Sequence, residues 1–212
     1  MPSLREIVAA HGSLLLLDAV SERIQAGLFA SGETRWAEST EEAGVGLFRC
    51  FDELGVDLAT VKAFAFCEGP GSILGIRTTA MAIRTWRALA PRPCFSYQSL
   101  AVLAAGLGDP SIAIVADARR ENWHVFRPGS PLRRLPGTEL TGPCVMPEGF
   151  RSWSAAPAGL TTRPYRLREL FSLPAVATAG LFTATEEPDA FLHAEPEYAT
   201  WTPQIHRAPV TP

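Results

Sequence analysis

Residues 61–90 read VKAFAFC-EGPGS-ILGIRTTAMAIRTWRALA, and this stretch decides the fold. Val61–Cys67 is an apolar run of strand length, rich in the aromatic and β-branched residues that pack on a pleated surface. Gly69-Pro70-Gly71 cannot extend either a strand or a helix and marks a tight turn. Ser72 is a good helix cap, and Ile73–Ala90 then runs with helical spacing until Pro91 halts it. Strand, glycine turn and long helix in this order form one βα unit of an α/β sheet. The turn gathers backbone N–H groups at a helix N-terminus, which suits either an anion or a closely approaching backbone. Gly75, one turn inside the helix, admits such an approach.

Upstream, Ser3-Leu4-Arg5-Glu6 is a capping box and Gly12 a stop, so a short helix spans about 3–10. Leu14–Asp18 suits a strand buried on both faces; Arg23–Ala30 and Glu33–Glu38 complete a meander around Ser31-Gly32. A helix is expected over 41–54, where Leu47, Phe48, Cys50, Phe51 and Leu54 spread over about 160° of the wheel and Val45 widens the arc, more than the ~100° stripe that one core requires. Downstream, Cys94–Tyr97 reads as a strand, Ser99–Leu107 as a helix capped by Ser96 or Ser99, Ser111–Asp117 as a strand and Asn122–Phe126 as an exposed one. Beyond Phe126 only Pro164–Phe171 and Ala175–Thr185 have helical length, and Tyr198–Pro212 reads as extended.

The composition narrows the function classes. The 212 residues carry 19 Lys+Arg against 22 Asp+Glu, and neither half of the chain is basic enough to bind nucleic acid unaided. Of 18 prolines, five fall in residues 1–127 and thirteen in the last 85, so the second part cannot be built mainly of long regular elements. Apolar runs such as Leu14–Leu17 are far too short for a membrane span and no secretion signal opens the chain, so a cytoplasmic protein with no membrane contact is expected. Cys50, Cys67, Cys94 and Cys144 are isolated, which argues for buried thiols over a disulfide framework or zinc ribbon. Lys62 is the only lysine and lies outside any phosphate-binding loop motif, which excludes a Walker-type NTPase. The five tryptophans lack interleaved basic residues, so burial is expected for them rather than base stacking.

Gly69-Pro70-Gly71-Ser72-x-x-Gly75-x-Arg77, the Ser99-Leu100-x-x-Leu103-Ala104 helix, Ala116-Asp117-Ala118-Arg119 before Trp123, and Glu195-Pro196-Glu197-Tyr198 together resemble the TsaB (YeaZ) family, a glycoprotease-like branch of the actin-like ATPase superfamily. The motifs are dense over about residues 60–126 and sparse elsewhere. Asp18 ends the first strand as in that family, but Ala19-Val20 stand where it has Thr-Ser, and Ile73-Leu74 replace Phe-Thr.

The resemblance implies an α/β, actin-like (ribonuclease H-like) fold of two lobes with mixed sheets: residues 1–107 as the first lobe and 108–212 as a shortened second one. It also implies a non-catalytic subunit that binds a TsaD-like catalytic partner and, with a TsaE-like ATPase, supports threonylcarbamoylation of adenosine 37 in tRNA. ATP and metal are then expected on the partner, none on this chain, and tRNA only through the complex. His11, His124, His193 and His206 are too far apart to form the partner's HxxxH metal motif. The expected interface comprises Val45, Leu47, Phe48 and Phe51 of one helix with Ile76, Arg77, Ala80, Ile83, Arg84 and Arg87 of the next, and it also serves a possible homodimer. Arg77, Arg84 and Arg87 lie within about 80° of one another on the wheel. The alternative is a small ATPase or kinase using Asp18, Asp117 and the Gly69–Ser72 loop, all of which the first reading takes as vestigial. Each Asp has a simpler role as the acceptor of a turn after its strand.

Overall fold

A computed structural model describes residues 1–30 and 32–191. Ser31, His193, the 195–198 motif, Trp201, His206 and the tail expected to be extended lie outside the described residues.

Two sheets organise the chain. The larger has the order β11-β5-β4-β1-β2-β3, formed by β1 (Ser13–Asp18), β2 (Ile24–Ala30), β3 (Glu33–Ser39), β4 (Ala63–Gly69), β5 (Cys94–Gln98) and β11 (Thr183–Ala184). β1 is central: it pairs antiparallel with β2 and parallel with β4, and all six of its residues are buried, as a strand covered on both faces requires. The helices are α1 (Leu4–His11), α2 (Ala43–Leu54), α3 (Ile73–Leu89) and α4 (Ser99–Leu107). The capping box at Ser3 and Glu6 forms as the spacing predicts, and Gly12 ends α1 at φ 81°. α2 packs on β2 and β3 and against α3, whereas α4 touches both β4–β5 and the second sheet.

That second sheet has the order β10-β9-β6-β7-β8, from β6 (Ala113–Asp117), β7 (Asn122–Phe126), β8 (Arg133–Pro136), β9 (Cys144–Pro147) and β10 (Leu160–Arg163). Three of these strands fall in the proline-rich stretch that sequence reading leaves irregular. They are four residues each, and Pro136 and Pro147 sit at the ends of β8 and β9, where a missing N–H costs little of the ladder.

Three expectations need correction. The chain after β10 returns to the first lobe: α5 (Leu167–Ser172) and the single turn α6 (Pro174–Ala177) pack on α4, and β11 pairs with β5. Tyr165, Phe171 and Phe182 are core residues of that lobe, so residues 108–212 are not a separate unit. The helix read over 175–185 stops at Ala177, before Gly180, whose approach to the Met1 carbonyl leaves no room for a side chain. Finally, α4 is capped at Gln98 without a side-chain bond, because Ser99 Oγ instead donates to the Pro70 carbonyl at 2.8 Å.

The glycines of the decisive stretch serve close backbone approach. A Cβ on Gly75 would lie 1.9 Å from the Ala19 carbonyl oxygen, and one on Gly71 would lie 2.5 Å from that of Val20. Ser72 N–H donates to the Val20 carbonyl at 2.7 Å. The start of α3 is therefore pressed onto the turn after β1. Gly75→Ala is expected to destabilise the protein by about 3 kcal/mol or more, because backbone meets backbone and neither side yields cheaply. Gly44→Ala, in α2 with open space around it, is expected to stabilise by up to about 1 kcal/mol; chemical denaturation of both variants checks the contrast.

Candidate functional site

The turn after β4 and the start of α3 face the end of β6 across a cleft between the sheets. Its volume is about 410 Å³, with Gly71, Ser72, Ile73 and Leu74 on one wall and Asp117, Arg119, His124, Arg134, Arg151 and Trp153 among the residues on the other. The Gly69–Ser72 loop and Asp117 are thus brought together as the sequence suggests. Asp18 is not.

Asp18 is fully buried below the cleft. Its Oδ2 accepts from the hydroxyls of Tyr97 at 2.8 Å and Tyr165 at 2.9 Å, and its Oδ1 accepts from Val20 N–H at 3.1 Å. Burial pushes its pKa up, and the hydrogen bonds from Tyr97, Val20 and Tyr165 offset this only in part. Both tyrosine hydroxyls are pushed well above their usual range by burial and by the carboxylate beside them. This carboxylate holds three chain segments together and has no face toward a ligand, which removes it from the ATPase alternative.

Asp117 ends β6 in the cleft but is equally engaged. Its Oδ1 accepts from Arg119 N–H at 2.5 Å, and its Oδ2 from Trp153 and Ser154 N–H at 2.6 Å each. Partial burial works to raise its pKa, but these backbone donors and the Ser154 hydroxyl together outweigh it and hold the carboxyl below its ordinary value. Both Asp residues act as turn acceptors.

The Gly-Pro-Gly loop spends its groups internally as well: Ser72 N–H goes to Val20, and Ser72 Oγ accepts from Gly75 N–H at 3.4 Å. Among the described residues no three His, Cys, Asp or Glu side chains are grouped to hold a metal ion. The four cysteines are free and buried.

The expected docking helices divide differently from the sequence list. Leu47, Ile76, Ala80 and Ile83 are core residues at 2% exposure or less, so they present no surface. Phe51 packs its ring on Trp86 with centroids 5.3 Å apart. Val45 and Phe48 remain 55% and 50% exposed on α2, and Met81 is 56% exposed on α3. The cationic row on α3 is partly taken by the returning chain: Arg77 pairs with Asp189, and Arg87 with the carboxylate and carbonyl of Glu186. Arg84 alone of the three has no such pairing among the described residues. The arc is wider than one core requires, and packing on β2 and β3 divides it into a core side and an open side.

Sequence reading missed the cationic wall of the cleft. Its arginines come from three segments that only the second sheet brings together. Trp153 also departs from the expected burial, standing 56% exposed with the Arg119 guanidinium 4.6 Å above its ring.

Two substitutions test these roles. Asp18→Leu leaves two buried hydroxyls and an amide without an acceptor and is expected to cost about 3 kcal/mol or more, whereas Asp18→Asn retains most of the bonding. The raised pKa means the native state binds this proton more tightly than the unfolded chain. Its contribution is therefore full below the ordinary Asp pKa and is lost as pH climbs through the raised one. Denaturation across pH is expected to show that loss in the native protein and a flatter profile in Asp18→Asn. For Asp117 the sign reverses: its support of residues 152–154 is present above the ordinary carboxylate pKa and lost as pH falls through the depressed one, readable as faster amide exchange at Trp153 and Ser154 in acid.

Comparison with known proteins agrees with this geometry. Among curated proteins none matches the chain significantly. Solved structures do match: YeaZ from Pseudomonas aeruginosa, at 22% identity, aligns over 76% of this chain and 89% of its own with a TM-score of 0.59. Another, described as an uncharacterized protein with similarity to peptidase YeaZ from Pseudomonas aeruginosa, aligns over 71% and 84% at 22% identity with a TM-score of 0.54. These likenesses show the fold, which is the actin-like, ribonuclease H-like fold of YeaZ with its two mixed sheets. A family model described as TsaD, tRNA N6-adenosine threonylcarbamoyltransferase, matches residues 39–146, half of the chain, across α2, the Gly-Pro-Gly turn, α3 and β6–β9. The chain therefore belongs to the TsaD family and is a TsaB/YeaZ-like member of it.

Proposed function

We propose that this protein is a non-catalytic, cytoplasmic subunit of the machinery that installs N6-threonylcarbamoyl on adenosine 37 of tRNA. It docks a TsaD-like catalytic subunit, which carries the ATP and metal, and works with a TsaE-like ATPase. tRNA is met through the complex.

One observation carries the reading: α2 and α3, packed side by side, leave Val45, Phe48 and Met81 half-exposed on their outer surface. Large apolar side chains grouped in this way on two rigid helices favour a partner of matching apolar shape. Glu41, Asp52, Glu53 and Arg84 around them supply a polar rim. A second copy of the chain is the competing occupant of the same face. Family membership supports the tRNA-modification context. The ATPase alternative draws no support from the site, because Asp18 is sealed and the oxygens of Asp117 are engaged by backbone N–H groups.

Phe48→Asp and Met81→Arg place charge in the middle of that face without touching the core. Each is expected to weaken binding to a TsaD-like partner by roughly 30-fold or more while leaving thermal stability unchanged. Calorimetric titration at micromolar concentration and restoration of modified tRNA in a TsaB-depleted strain are the measurements. No complex with the native protein, or undiminished binding by both variants, overturns the reading.

A further inference from the structure

Charge on the docking face is unevenly shared between its two helices. On α2, Asp52 stands one turn beyond Phe48, and with Val45, Arg49 and Glu53 these residues line an open hollow of about 600 Å³. On α3, the exposed Arg84 follows Met81 by one turn, and the helix carries no acidic residue along its length.

Much of this charge cancels within the chain. Glu41 pairs with Arg49 at 2.6 Å, and the returning segment takes two cations of α3, Arg77 with Asp189 and Arg87 with Glu186. Among the described residues Glu42, Asp52 and Glu53 of α2 and its cap, and Arg84 of α3, are in no ion pair. Three carboxylates against one guanidinium leave the face with an excess of two negative charges.

Helix stability does not account for these carboxylates. Asp52 and Glu53 fall in the last turn of α2, where no basic residue accompanies them and where the aligned peptide dipoles disfavour negative charge. Their field reaches the core: the pKa of the Cys50 thiol is pushed up to about 11, first by burial and then by Glu53, Glu38 and Glu41. Charge held at a local cost beside exposed apolar side chains discriminates between partners that would fit the apolar part equally.

We propose that this face selects a partner whose opposing surface is apolar at its centre and net basic around it, with cationic side chains over Asp52 and Glu53. The inference rests on the docking proposal and names the chemistry that chooses its occupant. A second copy of the chain brings the same excess of carboxylates, so two such faces repel where they meet. Exposed charges of this kind steer encounter and orientation and add modestly to affinity, because solvent and salt screen them. The charge that attracts a basic partner thus holds off the homodimer.

The double variant Asp52→Asn, Glu53→Gln separates the two occupants, because removing the charge acts on them with opposite sign. Calorimetric titration of the full chain with a TsaD-like catalytic subunit at low salt is expected to show about a fivefold or greater loss of affinity, with a shallower dependence on ionic strength. Sedimentation equilibrium of the variant alone is expected to show self-association tightened by about threefold. Arg84→Gln is expected to do the reverse, keeping or tightening partner binding and weakening self-association. Glu169→Gln, on α5, is expected to change neither. Both α2 substitutions relieve an unfavourable dipole contact, so the melting temperature is expected to hold or rise. Partner binding that the double variant retains in full at low salt overturns this proposal and leaves the docking proposal standing. A native chain that binds no TsaD-like subunit overturns both, and one that self-associates more tightly than it binds that subunit overturns this one.

Discussion

The carboxylate of Asp18 is the junction on which the two-lobed arrangement depends. It ends the central strand of the larger sheet and binds Tyr97 at the end of β5 and Tyr165 in the segment returning from the second sheet. Gln25 on β2 reinforces that return, donating to the Tyr165 carbonyl and accepting from Leu167 N–H. A buried carboxylate carries a desolvation cost that only such saturation offsets. The turn that follows Asp18 in turn supplies the Ala19 and Val20 carbonyls onto which α3 is pressed. One acidic side chain thus fixes the strand ends, the start of the long helix and the exit from the second lobe.

This arrangement recasts the motif that decides the fold. A glycine-rich turn at a helix N-terminus suits phosphate when its N–H groups stay open. Here Val20 fills that space, and the glycines are required because backbone meets backbone. The cationic groups of the cleft sit on the opposite wall, on a sheet of short strands. The open apolar side chains of α2 and α3 and the arginine-lined wall of the cleft therefore lie on different sheets' elements, joined by the start of α3, which lines the cleft.

Much of the fold was legible because its signals are local. Alternation and apolar runs gave β1 to β5, the Ser3–Glu6 capping box gave α1, and proline at 91 ended α3 within a residue of its observed stop. Strands β8 to β10 were not legible, since four-residue strands between prolines carry no period long enough to read. The site was harder for a different reason. Which apolar residues of α2 face outward depends on β2 and β3 beneath it, and no wheel contains that information. The meeting of Arg119, Arg134 and Arg151 depends on the pairing of β6 with β7 and β9 and of β7 with β8, which is tertiary. The fate of Asp18 was half visible: a strand-terminal aspartate announces a turn, but its two tyrosine partners lie 79 and 147 residues away.

The return of residues 165–184 to the first lobe makes the smaller sheet an insertion, spliced between two parts of the larger one. On a ribosome, β1 to β5 emerge early with Tyr97 still uncovered by Phe171 and Phe182. The edge of β5 stays unpaired until Thr183–Ala184 arrive. The first lobe to be synthesised is therefore the last to close, and contacts spanning such separations form slowly because the intervening chain must be ordered first. During that interval the nascent protein exposes a strand edge and an aromatic surface, the two features most prone to association with other chains.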